Sequence, residues 1–284
     1  MRTAWAVRLS LAVLSSASVA AFAAMPSGKA ETAVSPDTVA MKPAARPATK
    51  PTTAPTTKPV SAGIPFEKEI LAFEAADRTA PPVGGGIVFY GSSSIRLWRT
   101  LKDDFPGMTC VNRGFGGSTI PDALRYAERV LLPQKPKTIV FYSGDNDLQK
   151  GRTPEQILAD LKALQAVVHE KLPQTKLVLV SVKPSPSRLK LLPQQKAVNQ
   201  MIGAWVGALK DPNVQFVDVF SAMLTADGTP RIDLFGPDKL HMNRDGYKLW
   251  TGLVAKPAGI EAIATAVGEA ARGTAAAAKE AAKN

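Results

Sequence analysis

One cysteine and two histidines in 284 residues leave little room for two large classes of chemistry. A single thiol cannot close an internal disulfide, and Cys110, inside the apolar stretch Met108–Val111, reads as a small core residue rather than a reactive group. His169 and His241 lie far apart and no cysteine cluster accompanies them, so no metal site is expected. Also missing is any run of lysine and arginine interleaved with aromatic residues. That removes nucleic acid as an expected partner despite a net charge of +11. The charge is spread unevenly: residues 1–62 carry a net +5 and residues 268–284 a net +1, which leaves the long middle only mildly basic.

The ends differ from that middle in composition. Residues 1–24 hold Arg2 and Arg8, an apolar stretch from Leu9 to Ala24, and the A-x-A pattern Ala21-Phe22-Ala23. This is the pattern of a secretory signal peptide, so the protein is expected to be exported, to the periplasm or beyond. The stretch is short and rich in Ser and Ala, which disfavours a transmembrane anchor, and no cysteine stands near the cleavage region to carry a lipid. Residues 25–62 are dominated by Pro, Ala, Thr and Lys, which cannot bury a core; they read as a disordered linker. Its lysines and arginines would give weak attraction to an anionic envelope or membrane surface. Residues 268–284 form an Ala/Lys-rich tail of low complexity.

Between these ends, residues 63–267 read as one α/β domain. Apolar runs of strand length occur at Gly86–Tyr90, Met108–Asn112, Thr138–Ser143, Lys176–Val182 and Val214–Val219. Several are continuous rather than alternating, as strands covered on both faces require. Helical patterns cover Pro65–Arg78, Pro121–Leu132, Pro154–Leu172, Leu191–Leu209 and Asp245–Ala255. Five strands separated by helices predict a parallel sheet with helices on both faces, and such sheets bind ligands beyond the carboxyl ends of their strands.

Polar loops follow those strands in chain order. Gly91-Ser92-Ser93-Ser94 comes after the first, Gly114–Ser118 after the second, Gly144-Asp145-Asn146-Asp147 after the third, and Asp238…His241 after the fifth. A serine hydroxyl at a strand-to-helix turn is exposed, and its own N–H lies at a helix N-terminus, where it can stabilise an oxyanion. Ser92, Ser93 and Ser94 all qualify. His241 is the candidate general base, since serine at its ordinary pKa is a poor nucleophile. His169 falls late in a long helix and reads as a solvated residue. Asp238, three residues before His241, can bond one ring nitrogen and fix the tautomer. Asn146 is the candidate side-chain oxyanion donor if Gly144 lets its loop bend sharply, and Gly117 a backbone one. Asp147 reads as structural, bonding loop amides. Arg96, Trp98, Arg113 and Lys183 lie near strand ends and are candidates for the mouth of the site.

Taken together, the blocks Gly91-Ser92-Ser93, Gly117, Gly144-Asp145-Asn146-Asp147 and Asp238-Lys239-Leu240-His241 resemble the SGNH (GDSL-type) hydrolase superfamily over residues 64–256. The stretches GSSSIRLW and KPSPSR resemble a bacterial branch described as esterases or lysophospholipase-like. One departure is Ser92, where the family usually has Asp; that residue is not the nucleophile, so loop bonding is expected to change and chemistry to survive. The resemblance implies a three-layer α/β/α flavodoxin-like fold and ester hydrolysis through an acyl-enzyme without metal or other cofactor. It selects Ser93 among the three serines, with Asp238 and His241, and implies an oxyanion hole of Ser93, Gly117 and Asn146. An α/β-hydrolase elbow would need glycine where Ile95 stands. No long apolar lid insertion is visible, so short acyl groups, acetyl above all, on carbohydrate or small lipids are the expected substrates. The alternatives are an O-acyltransferase acting on envelope glycans and a non-catalytic flavodoxin-like binding domain.

Overall fold

The structure is a computed structural model that describes residues 63–260. The signal peptide, linker and tail expected at residues 1–24, 25–62 and 268–284 lie outside the described residues, as does the end of the domain at 261–267.

Five parallel strands form one sheet in the order β2-β1-β3-β4-β5: β1 Ile87–Gly91, β2 Cys110–Gly114, β3 Thr138–Tyr142, β4 Lys176–Val180 and β5 Val214–Val217. Each lies within two residues of its apolar run in the sequence. The helices are α1 Glu67–Thr79, α2 Ser93–Arg96, α3 Leu101–Asp104, α4 Ile120–Val130, α5 Asp145–Gln149, α6 Pro154–Lys171, α7 Leu192–Leu209, α8 Val219–Ala222 and α9 Arg244–Ala255. The five long ones were legible from their periodicity. The single turns α2, α3, α5 and α8 are too short to show one.

Side chains alternate across a strand, so each strand feeds two cores. Val88, Tyr90, Ile139, Phe141, Leu177 and Leu179 pack with residues of α1, α4, α6 and α7. Ile87, Phe89, Val140, Tyr142 and Val178 pack with Trp98, Leu101, Phe105, Trp250 and Val254 on the other face. The result is the expected three-layer α/β/α fold with a flavodoxin-like strand order. Two long helices begin with capping boxes: Thr119 with Asp122 opens α4, and Thr153 with Gln156 opens α6. In each, the threonine oxygen accepts a backbone N–H while the partner side chain reaches back, satisfying donors the helix cannot.

Strands β2, β1 and β3 are neighbours, and the loops that leave their carboxyl ends start from one crowded rim. Gly91 pairs in register with Gly114 on one side and Tyr142 on the other, with φ at 133°. A Cβ there would overlap the Tyr142 carbonyl oxygen. That carbonyl accepts the Ser92 N–H at 3.0 Å, while the Gly91 carbonyl accepts the Phe115 N–H at 2.9 Å. The turn that presents the serines is thus bonded to both neighbouring strands. Gly91→Ala is expected to lower stability by about 3 kcal/mol or more, combining backbone strain with a clash that cannot relax. Urea unfolding followed by the fluorescence of buried Trp98 and Trp250 measures it; an unchanged midpoint would show that the rim has slack.

Candidate active site

Three adjacent serines occupy the β1 turn in three different environments. Ser92 is the N-cap of α2, and the side chains of Ser92 and Ser94 are buried with their hydroxyls unpartnered among the described residues. Ser93 is half-buried, and its Oγ lies 3.0 Å from His241 Nε2. Only this serine meets the imidazole. Ser92 binds the rim through its N–H, so the aspartate-to-serine departure leaves the turn anchored by backbone rather than side chain.

The imidazole arrives from far away in the chain. After β5, residues 218–243 travel back along the carboxyl rim and close a loop through the antiparallel bridge of Phe235 with Met242. Within it the Gly236 N–H donates to the His241 carbonyl at 2.8 Å, and Lys239 turns the chain with φ at 53°. Asp238 Oδ2 lies 2.6 Å from His241 Nδ1, while its Oδ1 accepts the N–H groups of Leu240 and His241 at 3.0 and 2.9 Å. The Leu240 N–H is the strongest influence on that carboxyl; burial opposes it, and the backbone and ring of His241 add to it, holding the pKa down at about 2. An ionised Asp238 keeps the proton on Nδ1 and leaves Nε2 free to accept the Ser93 hydroxyl proton. Asn243 then caps α9, accepting the Asp245 and Gly246 N–H groups, which fixes where the loop ends.

The other two candidate donors sit on the loops that leave β2 and β3. Gly117 has φ at 82°, a conformation natural to glycine, and its N–H has no protein acceptor among the described residues. Gly144, with φ at 117°, starts α5 and makes the sharp bend that Asn146 needs. The Asn146 carboxamide is buried; its Nδ2 donates to the Ser118 carbonyl at 3.0 Å, beside Gly117, and its Oδ1 accepts from Arg188 Nη2 at 2.9 Å. One N–H of the amide is thereby left over. The structure therefore links Ser93, His241 and Asp238 directly, and Asn146 to the Gly117 loop.

Other expected positions differ. Trp98, Arg113 and Lys183 do not line a mouth: all three are buried. Trp98 packs on Phe89 and Phe105 and donates to Asp104, Arg113 pairs with Asp77, and Lys183 bonds Asp145 at 2.9 Å. Strand-end position was the sequence signal for all three, and side-chain direction overrode it. Arg96 is exposed and lies against Gly116. His169 is exposed and Cys110 buried, with its thiol pushed up to about 11 by burial. Sequence reasoning missed the roles of Asp145, which stood in the Gly144–Asp147 block, and of Arg188, whose only trace was the KPSPSR stretch. A hollow of about 310 Å³ lies between α1 and the amino ends of β1 and β2, and shares no residue with the Ser93 site.

A parallel sheet whose carboxyl rim joins serine, histidine and aspartate in one hydrogen-bonded line is the layout of an ester hydrolase. The GDSL-like lipase/acylhydrolase family model matches residues 83–249, and the chain belongs to that family. It is thus a carboxylic ester hydrolase. A platelet-activating factor acetylhydrolase IB subunit alpha2 from Gallus gallus is 31% identical over 170 residues, 57% of this chain and 70% of that protein. Among solved structures, a GDSL-like lipase from Bacteroides thetaiotaomicron matches with a TM-score of 0.58 at 22% identity, covering 70% of this chain and 97% of its own. A carbohydrate esterase family 3 protein from Talaromyces cellulolyticus matches with a TM-score of 0.51 at 21% identity, covering 64% and 99%. The two structures share the fold.

Asp147, as expected, is structural: its Oδ1 accepts the Ile120 N–H at 3.0 Å and joins α5 to α4. Burial, only partly offset by that N–H and by Arg152, pushes its pKa up to about 6. A carboxyl whose folded pKa exceeds its unfolded value stabilises the fold when protonated. Its contribution is full below about pH 4 and lost as pH rises through 6. Asp147→Asn should therefore differ from the parent in its pH profile, with a change of about 2 kcal/mol in the stability difference between pH 4 and pH 7. Thermal unfolding across that range measures it, and parallel profiles would contradict the burial argument.

Proposed function

We propose that the protein is an exported serine esterase that cleaves short-chain acyl esters, acetyl esters of carbohydrate or small lipids, through an acyl-enzyme. The observation that carries this reading is the line from Ser93 Oγ through His241 to Asp238, at 3.0 and 2.6 Å. In it, Ser93 Oγ attacks the ester carbonyl carbon while its proton passes to His241 Nε2. The Asp238 carboxylate stabilises the resulting imidazolium. The carbonyl oxygen becomes an oxyanion that the N–H groups of Ser93 and Gly117 and the remaining Asn146 N–H would receive. Collapse expels the alcohol, which takes the proton from His241 and leaves an acyl-Ser93 ester. Water then attacks that ester, gives its proton to His241, and the acid departs as Ser93 recovers its hydrogen.

The short-acyl preference draws on the surface. A long-chain substrate needs a contiguous apolar patch. The exposed large apolar side chains among the described residues are scattered over separate elements, Leu189 and Ile232 among them. The acetylhydrolase relative, matched over 57% of this chain, points the same way. Export and weak envelope contact through the linker rest on the sequence pattern of residues 1–62 alone.

Ser93→Ala and His241→Ala are each expected to lower kcat/KM for p-nitrophenyl acetate by about 1000-fold or more without loss of folded protein. A fluorophosphonate probe should label the parent and not Ser93→Ala. Hydrolysis at the parent rate in either variant would remove the assignment. Across p-nitrophenyl esters, acetate should be cleaved faster than octanoate or palmitate; the reverse order would sink the substrate class.

A further inference from the structure

We propose that Arg188 is a positioning residue for ester hydrolysis, holding the Asn146 amide in its donating orientation and keeping a net positive charge behind it. The inference rests on the roles given above to Ser93 and Asn146, and deepens them by naming what sets the side-chain oxyanion donor.

A carboxamide can point either way about its last bond, and only one orientation turns an N–H toward the substrate oxygen. Here the two ends of the amide are tied to chemically opposite groups. Nδ2 faces the Ser118 carbonyl at 3.0 Å, an acceptor, and Oδ1 faces Arg188 Nη2 at 2.9 Å, a donor. Flipping the amide would set oxygen against carbonyl oxygen and N–H against guanidinium, both repulsive in a buried setting. A cationic donor on Oδ1 also draws electron density from the amide and strengthens its remaining N–H as a donor.

Arg188 is not needed to neutralise its other neighbour. Lys183, fully buried, already bonds Asp145 Oδ2 at 2.9 Å. Arg188 Nη1 lies 3.1 Å from that same oxygen, close enough for an ion pair but with no hydrogen bond from Nη1 among the described residues. Two cations therefore share one carboxylate. Burying a second cation beside an already paired anion costs desolvation. What only Arg188 supplies in return is the bond to Asn146.

The chain around Arg188 is built to hold it there. Asn199 of α7 clamps the start of the segment, accepting the Val182 N–H and donating to the Val182 carbonyl at 2.8 and 2.9 Å. Pro184 and Pro186 then stiffen the path. The Ser187 N–H donates at 3.0 Å to the carbonyl of Lys239, which stands between Asp238 and His241. One segment thus spans the donor side and the base side of the site, with the Arg188 side chain 11% exposed.

A double-mutant cycle tests this. Arg188→Met and Asn146→Ala are assayed singly and together for kcat and KM on p-nitrophenyl acetate, with thermal unfolding of each. Arg188→Met is expected to lower kcat by about tenfold or more, with KM changed by less than about threefold. In the Asn146→Ala background the same change should cost less than about twofold, because the group it orients is gone. Arg188→Lys, which retains charge but not the planar fork, should recover part of the lost kcat, and it runs the same cycle if Arg188→Met does not fold. Effects that multiply in the double variant, or a parent-like kcat in both Arg188 variants, would overturn the proposal. Ser93→Ala assayed alongside separates the two failures: parent-rate hydrolysis there removes the nucleophile itself, whereas its loss together with multiplying effects removes only the role of Arg188.

Discussion

At the carboxyl ends of β2, β1 and β3 the backbones run so close that Gly91 has no space for a side chain. Its carbonyl and the next N–H are both bonded to neighbouring strands. That crowding sets where the serine turn begins and in which direction α2 leaves the sheet. Because the three strands are adjacent, the loops bearing Ser93, Gly117 and Asn146 rise from one place without needing long excursions. The apolar cores on both faces hold the strands in register, and the chemistry is carried on the rim that the register creates.

Electrostatics divides the acidic groups of that rim by surroundings rather than by residue type. Asp145 is buried, which raises its pKa, but Lys183 and Arg188 more than offset this and hold it low. Two residues on, Asp147 is also buried but lacks such close cations, and its pKa rises. Asp238 is half-exposed and is held ionised chiefly by backbone N–H groups of its own turn. Three aspartates thus serve three purposes: a buried counterion, a neutralisable strut between helices, and a solvent-washed anchor for an imidazole.

Much of this was legible before folding. Continuous apolar runs such as Thr138–Tyr142 require cover on both faces, and helical periodicity marked the long helices. The rules for parallel sheets then put every polar loop on the carboxyl rim. Short turns escaped, because four or five residues carry no period. Side-chain direction escaped as well: Trp98 and Arg113 lie near strand ends yet point into the protein, a matter of pleat and packing that spacing does not encode.

The positions of the strands and long helices along the chain and the close Asp238–His241 spacing are local properties, set by neighbours in the chain, so the amino-acid sequence by itself determined them. Which of Ser92, Ser93 and Ser94 faces the imidazole is different. So are the return of residues 218–243 to bring His241 within 3.0 Å of Ser93, and the grip of Arg188 on Asn146. These join groups separated by 148 and 42 positions, and only the tertiary structure decided them. Contacts at that range exist only once the sheet has closed and the loop-closure entropy has been offset by burial elsewhere, so no local pattern carries them.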